Sequence, residues 1–107
     1  MDVDVAVEEQ PFAAGVPPLL VAPPIDATAA TFVEFPPTVR DTDPHPTPRR
    51  QFAVILSGVA ETRTSDGAVR RLEAGSVVLL EDTHGAGHVT TVIDPPFRVL
   101  FVALDDA

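Results

Sequence analysis

The sequence predicts an all-β domain, and three observations carry that prediction. Twelve of the 107 residues are proline, well above the ~5% of average usage. They recur in pairs at Pro17-Pro18, Pro23-Pro24, Pro36-Pro37 and Pro95-Pro96, and each one stops a helix and removes a ladder donor. Between them lie short runs rich in Val, Leu, Phe and Thr. About eight such runs follow one another at nearly even spacing, bounded by Gly, Asp and Pro turn signals, as in a sandwich or barrel.

Taken in order, residues 1–12 lack periodicity and read as a frayed tail or arm. FAAGVPPLLVAPP is apolar but broken by proline, which suits an edge strand or an extended lid, over its own barrel or across a partner subunit. Residues 1–27 are therefore expected to be an N-terminal arm or edge strand, and 28–107 a single barrel. In TAATFVEFP, Phe32 and Glu34 share one face while Val33 and Phe35 share the other. Thr38 to Pro48 is polar and turn-rich. Gln51 to Ser57 is a strong strand, and Gly58 marks a turn or bulge. Val59–Thr64 and Ala68–Leu72 flank Ser65-Asp66-Gly67, a hairpin signal with Glu61 and Arg63 set against Arg70 and Arg71. SVVLLE after Gly75 is a buried strand, and EDTHGAGH is a turn. HVTTVID and FRVLFVAL are two further strands separated by Asp94-Pro95-Pro96.

Composition narrows the function classes. A net charge of −9 and a pI near 4.4 argue against nucleic acid, whose backbone needs a basic face. An anionic membrane surface is disfavoured for the same reason. The chain has no cysteine, so disulfides, thiolate metal sites and cysteine nucleophiles are excluded. The acidic start MDVDVAVEEQ is unlike the basic opening of a secretory signal, and no apolar run approaches the ~20 residues of a spanning helix. The expectation is a cytoplasmic protein. A domain this small has a marginal core, so a homodimer is expected.

The order of residues from His45 to about Leu104 resembles the cupin family, the double-stranded β-helix (jelly-roll-like) barrels. His45-Pro46-Thr47, Gln51 and Gly58 stand where the first cupin motif carries two histidines, an acidic residue and a glycine. Gly75, Val77–Leu80, Glu81-Asp82-Thr83, Gly85-Ala86-Gly87 and His88 resemble the second motif. The series is similar to that of small single-domain bacterial cupins with a degenerate metal motif: Thr47 replaces the second histidine, Gln51 replaces the glutamate, and two extra residues precede His88. The resemblance implies a barrel with a pocket inside it.

Strand alternation groups candidate site residues independently. If Gln51 points inward, His45, Thr47, Arg49, Ala53, Ile55 and Ser57 share its face. A bulge near Pro48 would exchange Arg49 with Arg50. That face is polar at its start and apolar deeper down, as ligand pockets are. His88 shares a face with Thr90 and Val92. His45, Gln51 and His88 are thus the candidate catalytic residues, and also the ligands of a divalent transition ion (Fe, Mn, Ni or Zn) if one is bound. Glu34 is the outside candidate for a carboxylate, provided its face points in. Thr47, Arg49, Ile55, Thr90 and Glu34 are expected to contact substrate. A metal would act as a Lewis acid on a carbonyl or enol. Without one, His88 is a candidate general base, since an imidazole pKa near ~6.5 suits proton transfer at neutral pH.

Each of these residues also has a plain structural reading, as a solvated loop histidine, a strand-edge histidine or a backbone-satisfying amide. His84, in the turn itself, reads as exposed, and Glu81 and Asp82 as turn acceptors. Two functions therefore stand side by side. One is an enzyme isomerising, cyclising or decarboxylating a small organic acid, ketone or polyketide-like metabolite. The other is a non-catalytic metabolite-binding or accessory cupin. Metal storage or sensing ranks below both.

Overall fold

A computed structural model describes residues 5–36, 50–64, 67–81 and 88–104, with the side chains of Thr64 and His88 outside that description. Every regular element is a strand: β1 (Glu8–Gln10), β2 (Leu19–Val21), β3 (Ala27–Phe35), β4 (Gln51–Thr64), β5 (Val69–Glu73), β6 (Val77–Leu80) and β7 (His88–Leu104). The all-β expectation is met. No helix among the described residues is long and apolar enough to cross a membrane.

β1 and β2 form a small antiparallel ribbon, with Glu9 opposite Leu20. Strand β1 falls inside the stretch expected to be a frayed tail. The loop joining the two strands turns where the Val16 N–H donates to the Ala13 carbonyl at 3.2 Å. The other five strands make one antiparallel sheet in the order β3-β7-β4-β5, with β6 also on β4. Strand β4 is shared lengthwise: Gln51–Val54 pair with β6 and Val59–Arg63 pair with β5. The hand-over falls at Ile55, whose N–H donates to the Ser76 carbonyl at 2.9 Å and whose carbonyl accepts from Gly75 N–H at 3.1 Å. Strands β3 and β5 with β6 are the sheet's edges, so the described strands do not close a barrel. Antiparallel layers of this kind are compatible with a β-sandwich.

Two pairs of strands expected to be separate are continuous. Gly58 interrupts the pattern within β4, and Pro95-Pro96 (a cis peptide) interrupts it within β7, yet each strand runs on. The two irregular points lie across from one another. The β4–β7 register shifts between Ile55 and Ser57, between Ser57 and Val59, and between Val59 and Ala60. Prolines lack the N–H that a regular ladder needs there, and bulges bend the strands that carry them. Ser57 Oγ supplies a side-chain bond instead, donating to the Pro96 carbonyl at 2.9 Å. Gly58 has a φ of 79°, where a side chain is costly. A Cβ built on it would also fall 2.6 Å from the Asp94 carbonyl oxygen and 2.8 Å from Phe97 Cα.

The bend turns the inner face of both halves toward one core. Ala53, Ile55, Val78, Phe97 and Val99 come from the side of β3 and β6, and Ala60, Leu72 and Val92 from the side of β5. Phe97 and Val99 are the largest fully buried side chains. Phe35 meets Phe97 edge-on, with ring centroids 5.4 Å apart. Each such buried side chain contributes on the order of 1.5–3 kcal/mol.

Candidate functional site

Polarity enters this apolar core at its two margins. Gln51 and Thr90 are the buried polar side chains among the described residues, 9% and 7% exposed. Gln51 opens β4 and pairs with Leu80 on β6 and Ala103 on β7. Residues 51, 53 and 55 alternate inward, so the Gln51 amide stands one step beyond Ala53 in the cluster. Thr90 lies on β7 at the other margin, one step beyond Val92. It faces Thr62 across the ladder, and Thr62 faces Arg70 on β5. Arg70, Thr62 and Thr90 thus form a polar row beside the apolar row Leu72, Ala60 and Val92. At the start of β7, His88 pairs with Thr64 in register.

The structure separates the expected constellation: Gln51 opens β4, while Thr90 and the backbone of His88 lie opposite Thr62 and Thr64 at the other end of that strand. Ile55, expected to line the pocket, is 2% exposed and packs inside the core. His45, Thr47 and Arg49 lie outside the described residues, as do His84 and Asp82. Arg50, the alternative to Arg49, bonds Glu81 at 3.2 Å through an exposed ion pair.

Glu34 is placed differently from what an inward carboxylate requires. Phe35 packs against the core, so strand alternation directs Glu34 to the outer face. There it is opposite Arg98 in register and accepts from Arg98 Nε at 2.7 Å, both side chains more than half exposed. The bond satisfies Glu34 away from the inner face. Among the described residues no group of three or more His, Cys, Asp and Glu stands together as a metal would need. Gln51 alone offers a neutral amide oxygen, a weak donor for a transition ion. Of the three ligands that the resemblance implied, His45 and the His88 side chain lie outside the described residues.

Arg70 and Thr62 were not singled out as site residues in the sequence, because Arg70 reads as half of a salt-bridged hairpin. Their signal was present nonetheless. Arg70 stands two residues before buried Leu72, and Thr62 two after buried Ala60, so each shares a face with a core residue. Arg71, next along, faces Glu61 on the outer side and bonds Glu73 at 3.4 Å.

At the β5 margin the inner face thus offers two hydroxyls and a guanidinium beside an apolar floor, with the Gln51 amide apart at the other end of β4. Such a set recognises a small ligand with a carboxylate or enolate and a hydrocarbon body. No protein-family model matches the chain, and no curated protein is significantly similar to it.

Proposed function

We propose that this chain is a small cupin-type domain whose inner face takes up a small organic acid or oxo-acid metabolite. The observation that carries the reading is the polar row Arg70, Thr62 and Thr90, with Thr90 buried, beside the apolar row Leu72, Ala60 and Val92. In this reading Arg70 holds the ligand carboxylate through a charge-assisted bond. Thr62 and Thr90 hydroxyls orient it beside the Leu72, Ala60 and Val92 floor. His88, at the start of β7, moves a proton at the carbon beside the ligand's carbonyl. Isomerisation, cyclisation and decarboxylation of a small acid or ketone all use this apparatus.

A panel of 2-oxo, 3-oxo and hydroxy carboxylic acids, followed by NMR shift perturbation, tests the reading. Saturable shifts in β4, β5 and β7 that disappear in Arg70→Leu are expected; none across the panel would overturn it. With a bound acid in hand, His88→Ala should abolish conversion and leave binding intact. The second reading is a non-catalytic metabolite-binding or accessory protein. It is favoured by the outward position of Glu34, which leaves Gln51, a group that does not titrate, as the buried polar residue of β4. Binding without product on long incubation would select it.

A further inference from the structure

The two long sides of the five-stranded sheet are finished differently. On one side lie β5 and β6, five and four residues long, and β5 carries Arg70, Arg71 and Glu73. Short strands and charges of this kind keep an edge from recruiting another strand. On the other side lies β3, the nine residues ATAATFVEF. It holds no proline and no lysine, and its one charge, Glu34, is already bonded to Arg98 at 2.7 Å.

The edge of β3 is open. Every residue from Ala27 to Phe32 is exposed, Phe32 at 76%. Among the described residues, the β3 backbone is paired with β7 alone. Over this length an antiparallel edge strand turns the N–H and C=O of about four alternate residues away from its neighbour. An extended peptide matches such a row of donors and acceptors. The side chains restrict which peptide fits. Ala27, Ala29 and Ala30 are small and leave room for large apolar side chains on an added strand, beside Phe32 and Val33. Asp26 stands at the start of the strand with no ion-pair partner among the described residues. Pro23-Pro24 before β3 and Pro36-Pro37 after it bound the edge on both sides.

We propose that β3 takes up an extended segment of a different protein as an additional antiparallel strand. The segment carries apolar residues at alternate positions and a Lys or Arg at its C-terminal end, where antiparallel pairing sets it beside Asp26. A basic segment also suits a chain of net charge −9. A second copy of this chain is a poor occupant of this edge. Both copies carry that charge, and antiparallel pairing of β3 with itself brings Asp26 of each toward Glu34 of the other. The edge lies on the far side of the sheet from Arg70, so acid binding there is independent of it.

The probe is a synthetic peptide of alternating Val and Thr closed by two lysines, titrated into the full chain and followed by NMR. Saturable shifts and slowed amide exchange centred on β3 are expected. A strand bonded through its backbone uses every second residue of the peptide. N-methylation of one alternate set should therefore abolish binding, and N-methylation of the other should leave it unchanged. The same peptide closed by two glutamates should bind roughly two- to fivefold more weakly, as one exposed ion pair allows, and Asp26→Lys should reverse that order. No shifts in β3 up to millimolar peptide, loss of binding with both methylated sets or with neither, or β3 amides already protected in the free protein by a second copy would each overturn the proposal.

Discussion

The two halves of the β4–β7 ladder, one on each side of Gly58 and Pro95-Pro96, are built from the same two strands and do opposite things. Before the bend, β4 and β7 are flanked by β6 and β3, and the outer face is largely apolar beside the Glu34–Arg98 pair. Its inner rows supply Phe97 and Val99 to the core, and Phe32 is exposed on its outer face. Beyond the bend, β4 and β7 are flanked by β5, the outer face is charged, and the inner face turns polar at Thr62, Thr90 and Arg70. The first half is the stability reservoir. The second half carries the larger share of the proposed chemistry. Within a single ladder, the difference lies in which residues follow the alternation inward.

Substitutions that separate stability from binding probe this contrast. Phe97→Ala, in the first half, should give the largest effect, a loss of about 3–5 kcal/mol from a cavity at a fully buried ring. Urea denaturation measures it, and a loss below ~1.5 kcal/mol would mean that this half is not the core. Gly58→Ala strikes the boundary between the halves. A left-handed φ costs roughly 1–2 kcal/mol for a side chain, and the contact with the Asp94–Phe97 backbone adds to it. A total of at least ~2 kcal/mol is expected. A neutral outcome would show that the bend tolerates an ordinary residue.

Gln51→Leu should cost about 1–3 kcal/mol, because the groups bonded to the buried amide lose their partner. Acid binding at the row of Arg70, Thr62 and Thr90 should not change on titration. Arg70→Leu should leave the denaturation midpoint almost unchanged, within ~0.5 kcal/mol for an exposed side chain, while weakening acid binding tenfold or more. If instead it destabilises without affecting binding, Arg70 is a structural group. Glu34→Ala is the smallest. Its exposed pair with Arg98 contributes at most ~1 kcal/mol, and ligand binding should not change.

How far this was legible in the sequence depends on the range of the interaction concerned. Proline pairs and short Val- and Phe-rich runs are local signals, and they specified the strands from β2 onward while giving no sign of β1. The alternation at Gln51, Ala53 and Ile55 correctly grouped an inner face, and that at Thr90 and Val92 a second one. The same rule applied to Arg70 and Leu72 would have found Arg70. The charge pattern of the hairpin masked it, because Arg70 and Arg71 look equivalent in sequence while pleating sends them to opposite faces. Glu34 shows the converse. Its position opposite Phe35 on the strand was readable, but which of the two faces met the core was not.

The sequence by itself determined the all-β class, the alternating pattern of each strand and the places where ladders would be interrupted. Those follow from backbone sterics and from side-chain period, which act over a few residues. Tertiary structure alone decided that Gly58 and Pro95-Pro96 face each other and bend two continuous strands, rather than ending four. It also decided that Glu34 pairs with Arg98 outside, and that a row of Phe and Leu side chains is left facing outward. Each of these depends on register between strands far apart in the chain, and register is settled only when the core chooses which face to bury.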